Sequence, residues 1–204
     1  MKRIFLSLAI VGTLLFAYTL TLGLKIDIPE TARVQKTTIQ TTMSEAELTA
    51  RNAINFHMAV AMGSLVFGLF LHSVVVTYFM GTGRWIEETC EVYHLGEAHR
   101  AENKQLKYRV VMLITLCFVL FVVTMCLGAM NMFRGFSGWF GLPLSTTHFL
   151  FACTMVGINF MTNICEYQSI SRNANLIAEV VGHVNRIRQE RGLESEPVSK
   201  AFNK

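Results

Sequence analysis

Two histidines, His57 and His72, are the side chains of this sequence with the clearest potential for chemistry. They lie 15 positions apart in a stretch without Asp, Glu, Lys or Arg, which predicts a membrane-spanning helix. At about 100° and 1.5 Å per residue, both fall on one face roughly 22 Å apart, with Ser64 and Gly68 between them. Ionisable side chains are costly at membrane depth, so two on one face require an explanation.

A b-type haem is one explanation, because it needs neutral imidazole as an axial ligand and small residues where the flat macrocycle lies. Ser64 and Gly68 are such small residues. His148 lies near the start of the fourth apolar stretch, at about the predicted depth of His57, so these two histidines form a candidate ligand pair. His72 would occupy a second or quinone-facing position. The sequence therefore predicts haem b as the candidate cofactor, and an electron-transfer subunit as the function.

Two other functions are compatible with the same residues. Histidine, serine and asparagine side chains of membrane bundles also form hydrogen bonds between helices, and Ser64-x-x-x-Gly68 is a pattern that lets two helices approach closely. The protein would then be a non-catalytic scaffold or an accessory subunit of a larger complex. Ionisable groups inside a membrane also mark ion and proton pathways, which makes a small transporter or proton relay the third possibility.

A second candidate site lies in the charged segment that follows the second apolar stretch. Glu91 and His94 have the Glu-x-x-His spacing that presents a carboxylate and an imidazole to one metal ion. A di-iron site needs two such motifs, and Glu179 with His183 would supply the second only if the tail folded beneath this segment. A solvated charged face is the simpler interpretation. We find no glycine-rich phosphate loop or nucleophile–base pair, and expect no independent catalytic activity.

Four apolar helices would position these side chains. The chain has 204 residues, of which 52% are hydrophobic and 16% are charged, with a mean hydropathy of +0.41. Soluble domains carry about 25% charged residues, and a helix needs roughly 20 apolar residues to cross about 30 Å of hydrocarbon. The predicted fold is all-α, an integral membrane four-helix bundle in residues 1–165. Its spans lie at about 4–24, 53–80, 110–132 and 145–165.

The ends of the first two helices follow from local signals. The segment after the first apolar stretch, residues 25–29, offers no small-residue cleavage site, so a retained helix is predicted rather than a signal peptide. Ser44 and Glu47 form a capping-box pattern, which predicts that the second helix begins at about Glu45. Two glycines predict that it ends near Gly81 and Gly83.

The distribution of basic residues predicts the orientation. With the N-terminus inside, 13 of the 18 Lys and Arg residues fall in the inner segments. Because cytoplasmic loops carry the excess of Lys and Arg, both termini are predicted to be cytoplasmic, in the plasma membrane. The net charge of +4 therefore reflects topology, and no basic stripe with interleaved aromatic residues indicates nucleic-acid binding.

Residues 166–204 form the predicted cytoplasmic tail. Its apolar residues recur at near-heptad spacing and predict an amphipathic helix, which needs its own bundle, another copy or the lipid headgroups as partner. The inner segment 84–109 is predicted to be a short helical hairpin arm or a continuation of helices two and three. Together, the arm and the tail predict contacts with other membrane subunits or with a second copy of the chain. The tail residues are Ile170, Ile177, Val180, Val184 and Ile187.

One short segment resembles a known family. The run from Gly141 to His148, with its Pro-x-Ser-Thr-Thr-His sequence, is similar to a segment of inorganic-phosphate permeases in which this turn starts a helix at the ion path. That family also has a Gly-Ala-Asn-Asp motif and a longer, duplicated chain, which this sequence lacks. We interpret the segment as a helix start in which Pro143 ends the loop and Ser145 caps the helix.

Overall fold

The chain is all-helical wherever its structure is described. The computed structural model describes residues 1–26, 45–131 and 141–193. These ranges contain no β-strand, which confirms the all-α part of the predicted fold class. The helices are α1 (Lys2–Leu24), α2 (Glu45–Val92), α3 (Ala98–Met130) and α4 (Leu144–Glu190).

All four helices are long and apolar enough to cross a membrane. Their outward faces carry large apolar side chains that are more than half exposed, such as Leu14, Val66, Met112 and Met161. Such faces suit a hydrocarbon environment, where helices satisfy their own backbone hydrogen bonds. The helices therefore indicate a multi-pass membrane protein, as the sequence predicts.

Helix α2 extends well beyond its predicted end. It begins at Glu45, as expected, although the capping residue Ser44 lies outside the described residues. The prediction that it ends near Gly81 and Gly83 is wrong, because the helix continues to Val92. Gly83 instead accommodates a neighbouring side chain, as described below. Tertiary packing outweighs the low helix propensity of glycine at this point.

The connection between α2 and α3 is short, so the inner segment continues these two helices, the second of its two predicted forms. His94 adopts a left-handed conformation with φ of 52°. The backbone N–H of Leu95 donates to the carbonyl of Cys90 at 2.9 Å, which closes the end of α2. The turn reverses the chain within five residues.

Helix α4 begins one residue earlier than the predicted cap at Ser145. Leu144 is its first helical residue, which places Ser145 within the first turn. The hydroxyl of Thr147 donates to the carbonyl of Pro143 at 3.2 Å. Gly141, with φ of 76°, takes a backbone conformation that favours glycine just before this turn. Of the loop predicted upstream at residues 135–144, residues 135–140 lie outside the described residues.

The chain forms two compact units. The first unit comprises Met1–Leu6, His72–Cys117 and Met161–Lys204, and the second comprises Ser7–Leu71 and Phe118–Phe160. The first unit has an apolar core in which residues of α2 meet the second half of α4. The core residues are Ile86, Cys90, Leu176, Ile177 and Val181.

The predicted tail helix is part of α4 rather than a separate element. Helix α4 runs unbroken from Leu144 to Glu190. Its residues Ile170, Ile177 and Val180 are at most 1% exposed within the chain. The chain itself therefore covers these three residues, whereas Val184 and Ile187 are only partly buried, and the partner of the tail stays a prediction. The division at residue 165 stays a prediction.

Candidate histidine sites

His57 and His148 lie in the second unit, each packed against a glycine of another helix. A Cβ atom on Gly23 of α1 would lie 3.2 Å from Cε1 of His57, and one on Gly128 of α3 would lie 3.0 Å from Cε1 of His148. The two rings are close enough to interact electrostatically. The structure thus places the two predicted ligands in one unit, and each ring lies where a Cβ on the neighbouring glycine would crowd it.

The hydrogen bonds of the two rings differ. Nδ1 of His148 lies 3.1 Å from the carbonyl oxygen of Thr124. Since a carbonyl only accepts, Nδ1 carries the proton and Nε2 keeps its lone pair. The His57 ring forms a hydrogen bond with the backbone of Thr19, and its buried Nδ1 has no hydrogen-bond partner among the described residues.

These observations are compatible with a histidine that donates one ring N–H to the protein and binds a metal ion through its other ring nitrogen. Metal-ligating histidines almost always donate the other ring N–H to a carbonyl, carboxylate or water, which fixes the tautomer and the ring orientation. His148 meets this requirement through Thr124. His57 has a buried nitrogen that no described residue pairs with, so a ligand there would satisfy it.

Ser64 and Gly68 lie in the second unit but do not face an opening. A Cβ atom on Gly68 would lie 3.1 Å from the ring of Phe16 and 3.3 Å from that of Phe121. The Ser64 hydroxyl lies 3.0 Å from that of Thr19. These contacts are those of a close helix crossing. Any part of these two residues in a cofactor site stays a prediction.

His72 belongs to the first unit, where it pairs with Glu166. Its Nδ1 lies 2.9 Å from Oε1 of Glu166, and the two residues are 2% and 0% exposed. The His72 ring also forms a hydrogen bond with the side chain of Cys117. The sequence did not predict the pairing of His72 with Glu166, because Glu166 lies just beyond the predicted span and was assigned to the tail.

Hydrogen bonds connect the Cys117 thiol to the His72 imidazole and the imidazole to the Glu166 carboxylate. Cysteine hydrolases contain the same combination of groups. The geometry does not present the thiol to a substrate. Cys117 is only 1% exposed. Its Sγ donates to the hydroxyl of Thr162 at 3.2 Å. The thiol therefore serves as a packing and hydrogen-bonding group in this structure.

Helix α4 carries a buried polar stripe in the first unit. Polar residues recur every three or four positions and all are at most 6% exposed. This spacing was visible in the sequence as the signal for a polar face, since residues three or four apart lie on one side of a helix. The stripe consists of Thr162, Asn163, Glu166, Ser169 and Asn173.

The predicted metal site at Glu91 and His94 stays a prediction, but the two residues do not share one helix. Glu91 lies in the last turn of α2, whereas His94 lies beyond the end of the helix in a left-handed conformation. The Glu-x-x-His spacing therefore does not place both side chains on one helical face. His183 packs against His99, with ring centroids 5.4 Å apart. Within the described ranges, no group of three or more His, Cys, Asp or Glu is arranged to hold a metal ion.

A surface ion network lies beside that ring pair. Arg172 forms a two-pronged ion pair with Glu102, in which Nη2 lies 3.0 Å from Oε2, and its Nη1 lies 3.1 Å from Glu179. The hydrogen bond with Glu102 raises the pKa of the Arg172 guanidinium, so the charge on this residue is constant at any pH of interest. Glu179 is thus engaged by an arginine rather than positioned beside Glu91.

Comparison with protein-family models, curated proteins and solved structures finds no significant match for this chain.

Proposed function

We propose that this chain is a multi-pass membrane protein that holds one b-type haem between His57 and His148 and transfers electrons for a partner. The observation that carries the proposal is the electrostatic interaction of two imidazoles from α2 and α4 within one unit. One of them has its tautomer set by the Thr124 carbonyl, and the other has a buried nitrogen without a hydrogen-bond partner among the described residues.

Haem b would supply a one-electron carrier, and the protein would supply the axial ligands and an apolar environment. The Thr124 carbonyl orients the His148 ring and keeps its Nε2 unprotonated. Gly23 and Gly128 leave the space that the two rings occupy, since a Cβ at either position would press on an imidazole. Apolar residues of α1 and α3 would exclude water from the ligands.

The proposed topology places both termini in the cytoplasm, at the plasma membrane. It rests on the excess of Lys and Arg in the segments assigned to that side. The charged turn between α2 and α3 and the amphipathic end of α4 would then face the cytoplasm. We propose these surfaces as contacts for other membrane subunits or for a second copy of the chain.

A reduced-minus-oxidised absorption spectrum tests the proposal. The chain is expressed with haem supplementation, purified in detergent and assayed for bound haem by the pyridine haemochromogen method. We expect a Soret band and an α band that are lost in His57→Ala and in His148→Ala. His94→Asn is the matched control, because His94 is exposed and lies outside the second unit.

A folded, colourless wild-type protein would overturn the haem proposal and favour the scaffold function. Retention of both bands in either ligand variant would exclude that histidine as a ligand. Retention of the folded state is checked by helical circular dichroism and by the elution volume in gel filtration.

A further inference from the structure

The haem proposal leaves a buried cluster of the first unit unused. The cluster consists of His72, Cys117, Asn163 and Glu166, all at most 6% exposed. An ionisable pair removed from water is costly unless its remaining polar atoms are also satisfied. In this cluster some polar atoms have no hydrogen-bond partner among the described residues. Helix packing alone therefore does not explain the buried pair.

The unsatisfied atoms lie on one face of α4. Oε2 of Glu166 and both amide atoms of Asn163 are buried and have no hydrogen-bond partner among the described residues. The two residues are three positions apart, so their side chains are neighbours on the helix surface. Buried polar atoms are nearly always paired in folded proteins. An unpaired carboxylate oxygen beside an unpaired amide therefore points to a small polar ligand.

We propose that His72, Glu166 and Asn163 form an intramembrane proton-binding site. The number of oxygen atoms available for binding distinguishes a proton from a metal cation as the ligand. Ca²⁺ takes about six to eight oxygen ligands and Mg²⁺ needs a near-octahedral set. Here one carboxylate oxygen and one amide oxygen are unpartnered, and Oε1 of Glu166 is already engaged by His72. A proton needs a single acceptor, which Oε2 provides, and Asn163 can hold the water that delivers it.

The proton balance is simple. With His72 neutral, a proton that reaches Oε2 forms an O–H bond and converts the carboxylate into a carboxylic acid, which changes the charge of the pair from −1 to 0. When the same proton resides on His72 instead, the pair is an imidazolium and a carboxylate, also with a total charge of 0. Transfer from Nδ1 of this imidazolium to Oε1 of Glu166 then breaks one N–H bond and forms one O–H bond, and leaves a neutral imidazole beside a carboxylic acid. Because a buried net charge is costly, the bound proton makes the site compatible with a membrane.

A further titratable group lies beside the pair. Cys117 on α3 acts on the His72 ring. The pair itself contributes the titratable groups of α2 and α4. Proton binding is therefore expected to depend on Glu166 and His72 rather than on the surface charges of the first unit.

A hydrophobic carbodiimide tests the site, because it reacts with protonated carboxyl groups in apolar surroundings. The full chain in lipid vesicles is treated at several pH values, and the modified peptide is identified by mass spectrometry. We expect the label at Glu166, in an amount that rises as the pH falls, and none in Glu166→Gln. Glu179→Gln is the control, because this carboxylate is exposed and pairs with Arg172.

Asn163→Leu tests the delivery of the proton. We expect it to lower the initial labelling rate about fivefold to tenfold, the effect of one lost hydrogen bond on a barrier. Asn52→Leu, at an exposed position, should leave the rate unchanged. Protection of Glu166 by added Na⁺ or Ca²⁺ at constant pH would overturn the proposal in favour of a metal cation.

A second measurement covers the case in which the reagent does not reach so buried a site. Infrared difference spectra between neutral and acidic buffer should contain a carboxylic acid C=O band that Glu166→Gln removes. Absence of both the label and this band would overturn the proposal. The His57→Ala variant should give the same label as the wild type, so failure of the haem proposal and failure of this one are distinguishable.

Discussion

Asn103 of α3 lies against Gly83 of α2, where a Cβ atom would come within 2.9 Å of its Oδ1. The approach lets the Asn103 amide donate to Oδ1 of Asn173 at 2.8 Å, and Asn173 in turn donates to the Thr82 hydroxyl at 2.9 Å. Three helices of the first unit are thereby joined by buried polar side chains. The glycine that was expected to end α2 instead makes room for this network.

Gly83→Ala is expected to destabilise the protein, because the new methyl group displaces the Asn103 amide and leaves buried polar atoms unpaired. The expected cost is about 1–3 kcal/mol in the free energy of unfolding. Gly81→Ala is the matched control, since no atom of the described residues lies within 4 Å of a Cβ there. That variant should be neutral or slightly stabilising, as alanine favours the helix by up to about 1 kcal/mol. Denaturant unfolding in detergent gives both values, and equal values would contradict the assignment.

Asn173→Leu removes the centre of the same network. Asn173 is 0% exposed, and its loss leaves Asn103 and Thr82 each without one partner. We expect a destabilisation of about 2 kcal/mol. The double variant Asn103→Leu with Asn173→Leu should cost less than the sum of the two single changes, because the second change removes the group left unpaired by the first. Additive costs would show that the two amides do not interact.

The composition of the sequence predicted the helices and the candidate histidines, but it did not predict which side chains of different helices are in contact. Four apolar stretches without charged residues suffice to predict four long helices, because helix length in a membrane follows from hydrocarbon thickness. His57, His72 and His148 were identifiable for the same reason, as ionisable residues in apolar stretches. The pairing of His72 with Glu166 could not be predicted, because Glu166 follows directly after the predicted fourth span and was assigned to the charged tail.

The end of α2 is a second feature that the sequence did not predict correctly. Glycine lowers helix propensity by about 1 kcal/mol, and this preference alone predicts a helix end at Gly81 and Gly83. The actual helix continues because Ile86 and Cys90 are buried against α4. Burial of one large apolar side chain contributes about 1.5–3 kcal/mol, which outweighs the local preference. Such packing cannot be read from the residues of one helix.

Cys90 provides a pH-dependent prediction outside the membrane-spanning segments. Burial raises the pKa of its thiol above the ordinary value, and nearby Arg100 only partly opposes this effect. Because the thiolate is the reactive form, the native protein should alkylate at Cys90 only at higher pH than the unfolded chain does. Iodoacetamide labelling of both states across pH, with quantification of the Cys90 peptide, measures the difference. Coincident pH curves for the two states would contradict the buried placement of this thiol.

Gly68 distinguishes a structural role from a cofactor role in the second unit. It faces Phe16 and Phe121, whose ring centroids lie 5.5 Å apart. Gly68→Ala therefore places a methyl group against both rings, and we expect it to cost about 1–3 kcal/mol in unfolding free energy through overpacking. Gly63→Ala is the matched control on the same helix, because a Cβ there meets nothing within 4 Å. If Gly68 serves helix packing alone, the absorption spectrum of the folded variant should equal that of the wild type. A displaced or bleached Soret band with unchanged stability would instead place Gly68 beside the haem and show that the aromatic contact is not its main role.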